Sequence, residues 1–230
     1  MKRSSMQLYI GNKNYSSWSL RPWLLMTQVG IAFEEVPLRL NFEPASPFKT
    51  ALATVSPTAK VPVLVDDGFA VWDTLAIAEY LADKYPEKSL WPVDARARAR
   101  ARSLCAEMHG GFQGLRNSCP MNIEAELPEV GVRLLRDDPA VARDLARINA
   151  MWQQQLGVSG GPFLFGAFGI ADAYFAPVVT RLRTYALPVP VEVGAYMART
   201  FALPAMQQWV DAARAEHDFL PFDEPYRSQA

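Results

Sequence analysis

Lys60-Val61-Pro62-Val63-Leu64-Val65-Asp66-Asp67-Gly68-Phe69-Ala70-Val71-Trp72-Asp73-Thr74-Leu75-Ala76-Ile77-Ala78-Glu79-Tyr80-Leu81 holds two short apolar runs, a tight turn and the opening of a helix. Val63 to Val65 and Phe69 to Val71 read as strands. The intervening Asp66-Asp67-Gly68 is a strong hairpin signal, because aspartate and glycine tolerate the positive φ that a tight turn needs. Thr74 to Lys84 continues at helical period, and Pro86 stops it. Upstream, Met6 to Ile10 reads as a strand, Ser17 to Val29 as a helix, Phe33 to Leu38 as a strand and Ala45 to Ala53 as a weaker helix. The order strand, helix, strand, helix, strand, strand, helix defines an α/β unit.

Tyr85-Pro86-Glu87-Lys88-Ser89-Leu90-Trp91-Pro92 interrupts the periodicity, and helical signals dominate beyond it. The boundary is placed there, giving a domain over 1–85 and an all-helical domain over 92–230. The second domain is expected to carry long helices from Ala95 to about Asn117 and from Pro128 to Leu156. Shorter ones follow at Ala171 to Tyr185, Val191 to Arg199 and Pro204 to Glu216. The fold class is therefore α/β plus all-α.

The chain has 230 residues, 50% of them hydrophobic, and a formal net charge of −1. That is ample for two modest cores, and it lacks the charge asymmetry of a nucleic-acid binder. Arg96, Arg98, Arg100 and Arg102 form one basic cluster, but no aromatics interleave with them, and a solvated or subunit-facing helix surface explains them. Met1 to Ser5 is basic and runs straight into a strand without the apolar segment of a secretory signal. No apolar run reaches membrane-spanning length, so a cytoplasmic protein without membrane contacts is expected. The two cysteines, Cys105 and Cys119, would lie about 20 Å apart on one helix, too far for a disulfide.

Tyr15-Ser16-Ser17-Trp18-Ser19 stands where the first strand turns into the first helix. Such a junction presents free backbone N–H groups and the positive end of a helix dipole, and so favours an anion. A thiol placed there would ionise more readily, since its thiolate gains both the dipole field and a hydroxyl donor. The simpler reading is that these serines cap a helix. A dithiol mechanism would need Cys-x-x-Cys at this point, which the chain does not have.

Ser56-Pro57-Thr58-Ala59-Lys60-Val61-Pro62-Val63-Leu64, together with Asp73-Thr74-Leu75-Ala76-Ile77-Ala78-Glu79-Tyr80-Leu81, resembles the amino-terminal domain of soluble glutathione transferases. Ser16-Ser17-Trp18-Ser19 is most similar to their serine-type members, especially the zeta class and its bacterial relatives. The resemblance implies a thioredoxin-like first domain, a cytoplasmic homodimer, and conjugation of the detoxifying kind with glutathione as co-substrate. It places thiol activation on Ser16, with Ser17 the close second. Lys60, Val61 and Pro62 would hold the cysteinyl backbone beside a cis proline, pairing with it as an added strand. Asp73 and Thr74 would receive the γ-glutamyl end, although Asp73 reads equally as a helix cap. Trp18 stands where zeta-class members usually carry cysteine, which counts against a zeta-type isomerase.

Gly166-Ala167-Phe168-Gly169-Ile170-Ala171-Asp172 resembles the family's buried helix start, with Asp172 expected to serve folding through half a capping box. The resemblance also puts the electrophile between the serine loop and the first long helix of the second domain. Tyr15, Trp18, Met108, Phe112 and Arg116 are then its candidate lining, although Met108 and Phe112 sit on an apolar stripe that equally suits core packing. His109 and His217 lack partners at metal-ligand spacing, so no metal is expected. Ser16 has no Gly-x-Ser-x-Gly setting and no identifiable base, which argues against a serine hydrolase. Three readings follow: glutathione transfer to a hydrophobic electrophile, glutathione-dependent cis-trans isomerisation, and a non-catalytic binding module.

Overall fold

The computed structural model describes residues 6–227; the basic amino terminus read above lies outside them. Four strands, β1 (Met6–Ile10), β2 (Glu34–Pro37), β3 (Val63–Asp66) and β4 (Phe69–Val71), form one sheet in the order β2-β1-β3-β4. β1 and β2 run parallel, joined through α1 (Ser17–Gln28); β1–β3 and β3–β4 are antiparallel. At the β3–β4 turn Asp67 and Gly68 have φ of 49° and 86°, the conformation the Asp-Gly pair permits at little cost.

Alternation along β1 divides its neighbours. Met6, Leu8 and Ile10 join the large core with α1 and α3 (Thr74–Lys84). Tyr9 and Val65 face a smaller cluster built on Phe48 and Leu52 of α2 (Pro47–Ala53). Each such apolar side chain, fully buried, contributes roughly 1.5–3 kcal/mol.

Beyond a 3-10 turn at Pro86–Lys88 the described chain is helical: α4 (Ala95–Gly110), α5 (Gln113–Ser118), α6 (Pro128–Asp137), α7 (Pro139–Ser159), α8 (Ile170–Thr184), α9 (Val191–Phe201) and α10 (Pro204–Glu216). Two expected long helices are each broken. The first stops at Gly110, and Phe112 takes a left-handed φ of 57° before α5 restarts. The second breaks at Asp138-Pro139, where the Asp138 carboxylate accepts from the N–H groups of Ala140 and Val141. Asp-Pro supplies a cap and a pre-set first helical φ, so starting a new helix costs less there than continuing through proline.

α8 is buried along nearly its whole length and packs on α1, α4 and α9. At its start the Asp172 carboxylate accepts from the N–H groups of Leu164 and Gly169 and from the Tyr196 hydroxyl. Gly169, without a side chain, leaves the other half of the capping box empty. Burial raises Asp172 to about 6. The α1–α8 contact holds the serine end of the first domain against the centre of the second. Among the described residues no helix is long and apolar enough to cross a membrane.

Candidate functional site

Ser16 is the cap residue of α1, yet its side chain makes no capping bond. Its hydroxyl donates instead to Ser19 Oγ at 2.7 Å, and Ser19 Oγ accepts the Gly11 N–H at 3.1 Å. The start of α1 is thus left without a side-chain acceptor for its first-turn N–H groups, which suits an incoming anion. Ser17 Oγ lies 3.5 Å from Arg181 Nη2 of α8, a long contact in which the hydroxyl oxygen is the acceptor. The Ser17 proton stays free to be donated elsewhere.

A cavity of about 320 Å³ opens at this junction. The first domain lines it with Tyr15, Ser16, Ser17, Trp18, Lys60 and Val61, and with Phe42, Phe48 and Lys49 near α2. The second domain contributes Arg116, Met121, Arg181 and, from the carboxyl-terminal strap, Asp223. Arg181 is 6% exposed, donates through Nε to the Cys119 carbonyl, and keeps a buried Nη1 without a partner. Burial, aided by the neighbouring Arg116, lowers it to about 10, so it remains cationic at neutral pH. Burial also lowers Arg116, whose guanidinium lies over the Trp18 ring at 4.9 Å from the ring centre. Arg21 stacks on the same ring at 4.1 Å. Unpaired guanidinium in a part-dry cavity draws an anionic group.

Val61-Pro62 is cis, as the resemblance implies. Val61 sits just beyond the β1–β3 ladder, whose last pair is Tyr9 with Val63, so its main chain is outside the sheet pairing. Lys60 and Val61 line the cavity; Pro62 is buried behind them. Asp73 caps α3 through Leu75 N–H at 3.2 Å, and its other oxygen lies 3.3 Å from His109 Nε2. Thr74 is buried, with a hydroxyl that has no hydrogen-bond partner.

Two of the expected lining residues lie elsewhere. Met108 and Phe112 are buried in the main core and do not line the cavity: Met108 because the apolar stripe of α4 faces α8, Phe112 because the left-handed break before α5 carries it off that helix. Cys105 and Cys119 are free and buried, and burial pushes the Cys119 thiol up to about 12, so neither serves as a nucleophile.

Several lining residues escaped the sequence reading. Phe48 and Lys49 fall in a stretch read only as a weak helix, and Phe42 in the unassigned residues before it. Arg181 sits with Arg183 in the last turn of α8, where cations suit the helix dipole, so its place in the sequence carried no signal of a site. Nothing in the local sequence ties Asp223 to this cavity.

Two family descriptions match the chain: glutathione S-transferase, N-terminal domain, over residues 15–84, and glutathione S-transferase, C-terminal domain, over residues 94–212. A probable maleylacetoacetate isomerase of Caenorhabditis elegans is 34% identical over 117 residues, 51% of this chain and 52% of the relative. A zeta-class glutathione S-transferase of Euphorbia esula is 27% identical over 71% of each chain. The match thus spans about half the length of the isomerase. Among solved structures, a glutathione transferase homolog from Burkholderia gl BGR1, with bound glutathione, superimposes with a TM-score of 0.69 at 26% identity, covering 92% of this chain and 99% of that one. With the second family description alone covering more than half of its length, the chain belongs to the glutathione S-transferase family and is similar to its zeta-class members.

Proposed function

We propose that this protein is an enzyme that binds glutathione, ionises its thiol at the start of α1 and adds the thiolate to an electrophile with an apolar body and an acidic group. One observation carries the reading: the uncapped serine turn and the buried, part-unpaired Arg181 share a single cavity walled by Trp18, Phe42 and Phe48. The thiolate would lie between the hydroxyls of Ser16 and Ser17. Ser17 has its proton free, and Ser16 can turn from Ser19 toward the sulfur. The cysteinyl main chain would pair with Val61 beside Pro62, next to Lys60, and the γ-glutamyl end would reach Asp73 and Thr74 at α3. The glutathione bound in the Burkholderia homolog supports glutathione as the ligand. We place the division between the two domains in the segment 86–91.

Thiolate addition has two outcomes. If the adduct persists, the protein is a transferase. If the thiolate leaves again after rotation about the former double bond, it is an isomerase, a reading favoured by the similarity to proteins named maleylacetoacetate isomerase. Trp18 speaks for transfer: packed against the guanidinium groups of Arg21 and Arg116, it puts a bulky wall where zeta-class members usually carry cysteine. The test follows glutathione and an unsaturated acid together. Stoichiometric loss of thiol identifies a transferase, and turnover without thiol loss an isomerase. Failure to bind glutathione in calorimetry leaves only a binding module and overturns the proposal.

A further inference from the structure

His109, at the end of α4, is absent from the cavity wall yet touches both ends of the proposed glutathione site. Its Nε2 lies 3.3 Å from Asp73 Oδ2 at the cap of α3, and its Nδ1 is 2.7 Å from the Tyr174 hydroxyl of α8. The Trp18 ring meets it edge-on at 5.1 Å. Its carbonyl accepts from Arg116 Nη1 at 3.2 Å. Three elements, α1 and α3 of the first domain and α8 of the second, therefore converge on one imidazole.

The tautomer follows from its neighbours. Tyr174 is almost wholly buried, and burial holds its phenol protonated, so the hydroxyl donates to Nδ1. The ring proton is thereby left on Nε2, the nitrogen that lies 3.3 Å from the Asp73 carboxylate. The other Asp73 oxygen is already engaged by the Leu75 N–H. The carboxylate is thus flanked by one donor from its own helix and by an imidazole from the opposite domain. A carboxylate held in this way has its remaining lone pairs set for a third donor, and the ammonium of a γ-glutamyl group is such a donor.

We infer that His109 is a positioning residue for the γ-glutamyl end of glutathione: with Tyr174 setting its tautomer, it holds the Asp73 carboxylate in place to accept the ligand's ammonium. This rests on the glutathione site proposed above. It assigns to α4 a role in selecting the thiol peptide, separate from the second-substrate cavity.

The experiment compares glutathione with cysteinylglycine, which keeps the thiol and lacks the γ-glutamyl group, by calorimetry and steady-state kinetics. His109→Ala should weaken glutathione binding about tenfold, while kcat at saturating glutathione stays within about twofold of wild type and cysteinylglycine kinetics are unchanged. His109→Gln, whose amide N–H reaches the same point as Nε2, should recover most of the loss. His109→Ala added to Asp73→Asn should weaken binding no further than Asp73→Asn alone. Unchanged glutathione affinity in His109→Ala, equal losses with both thiols, or additivity with Asp73→Asn each overturn the inference while leaving the glutathione site standing. A wild-type chain that does not bind glutathione removes both.

Discussion

The serines divide the work at the residue scale. Of the two serines proposed to meet the thiolate, Ser16 donates to Ser19, and Ser17 alone has Arg181 donating to its oxygen, which makes its own proton a better donor. Ser17→Ala should lower kcat/KM about 10²-fold and raise the pH at which the bound thiol ionises, seen in its thiolate absorbance. Ser16→Ala should cost less than Ser17→Ala, because the Gly11 N–H still holds Ser19. A larger loss from Ser16→Ala would move the main role to that residue.

Asp223 supplies a pH dependence at the same cavity. Burial raises it to about 6, with Arg181 pulling the other way. Below that value it is neutral and leaves the Arg181 charge to an acidic electrophile; above it, its carboxylate competes for the same guanidinium. At saturating thiol, the KM of an acidic electrophile should therefore rise with pH through about 6, and Asp223→Asn should flatten the rise. The effect on stability has a fixed sign. A carboxyl whose folded pKa lies above its unfolded value takes up protons on folding, so its contribution falls as pH rises from the ordinary carboxylate range through about 6. Thermal unfolding should find Asp223→Asn more stable than wild type at neutral pH and equal to it in acid.

Two glycines set helix approach at the scale of elements. Gly131 lets α6 meet the end of α8 so closely that a methyl group there would overlap the Tyr185 carbonyl. Gly114 does the same for α5 on α7, where a methyl group would lie 2.6 Å from the Ala140 backbone. Alanine is ordinarily the better helix former by up to about 1 kcal/mol. Forcing backbone apart costs about 1–3 kcal/mol, so the clash wins. Gly131→Ala should lower unfolding stability by about 2 kcal/mol in a denaturant titration. A neutral or stabilising result would mean that α6 can slide on α8. The breaks at Phe112 and Asp138 belong to this scale too: the first places Arg116 over Trp18, and the second seats Ser118, which donates to Asp138.

At the scale of the whole molecule, the strap after α10 ties the domains across the cavity. Leu220 is buried with Phe48, Leu52 and Val63, and Glu224 accepts from Tyr15 and Asn122. Arg39 and Asp218 add a two-pronged pair at the surface. The exposed pair is worth little beside the buried leucine, because water screens it and two long side chains must be held. Leu220→Ala should cost about 2–4 kcal/mol in docking of the strap and raise the electrophile's KM, whereas Arg39→Ala should leave both near wild type. Limited proteolysis near residue 220, together with kinetics, separates the two variants.

The strand and helix order of the first domain, the hairpin at Asp67-Gly68 and the serine turn were legible along the chain, and the cis proline through the family resemblance. Each depends on local backbone preference or on a short motif whose residues are neighbours in sequence. The Asp138-Pro139 break was equally local and was overridden by the hydrophobic period on either side of it. Tertiary structure alone decided what surrounds the proposed thiol position. Arg181, Asp223 and His109 lie far along the chain from Ser17 and Asp73, and meet them because α1 packs on α8 and the strap folds back. Met108 and Phe112 went the other way, since a helical stripe shows which face is apolar but not whether a core or a ligand covers it.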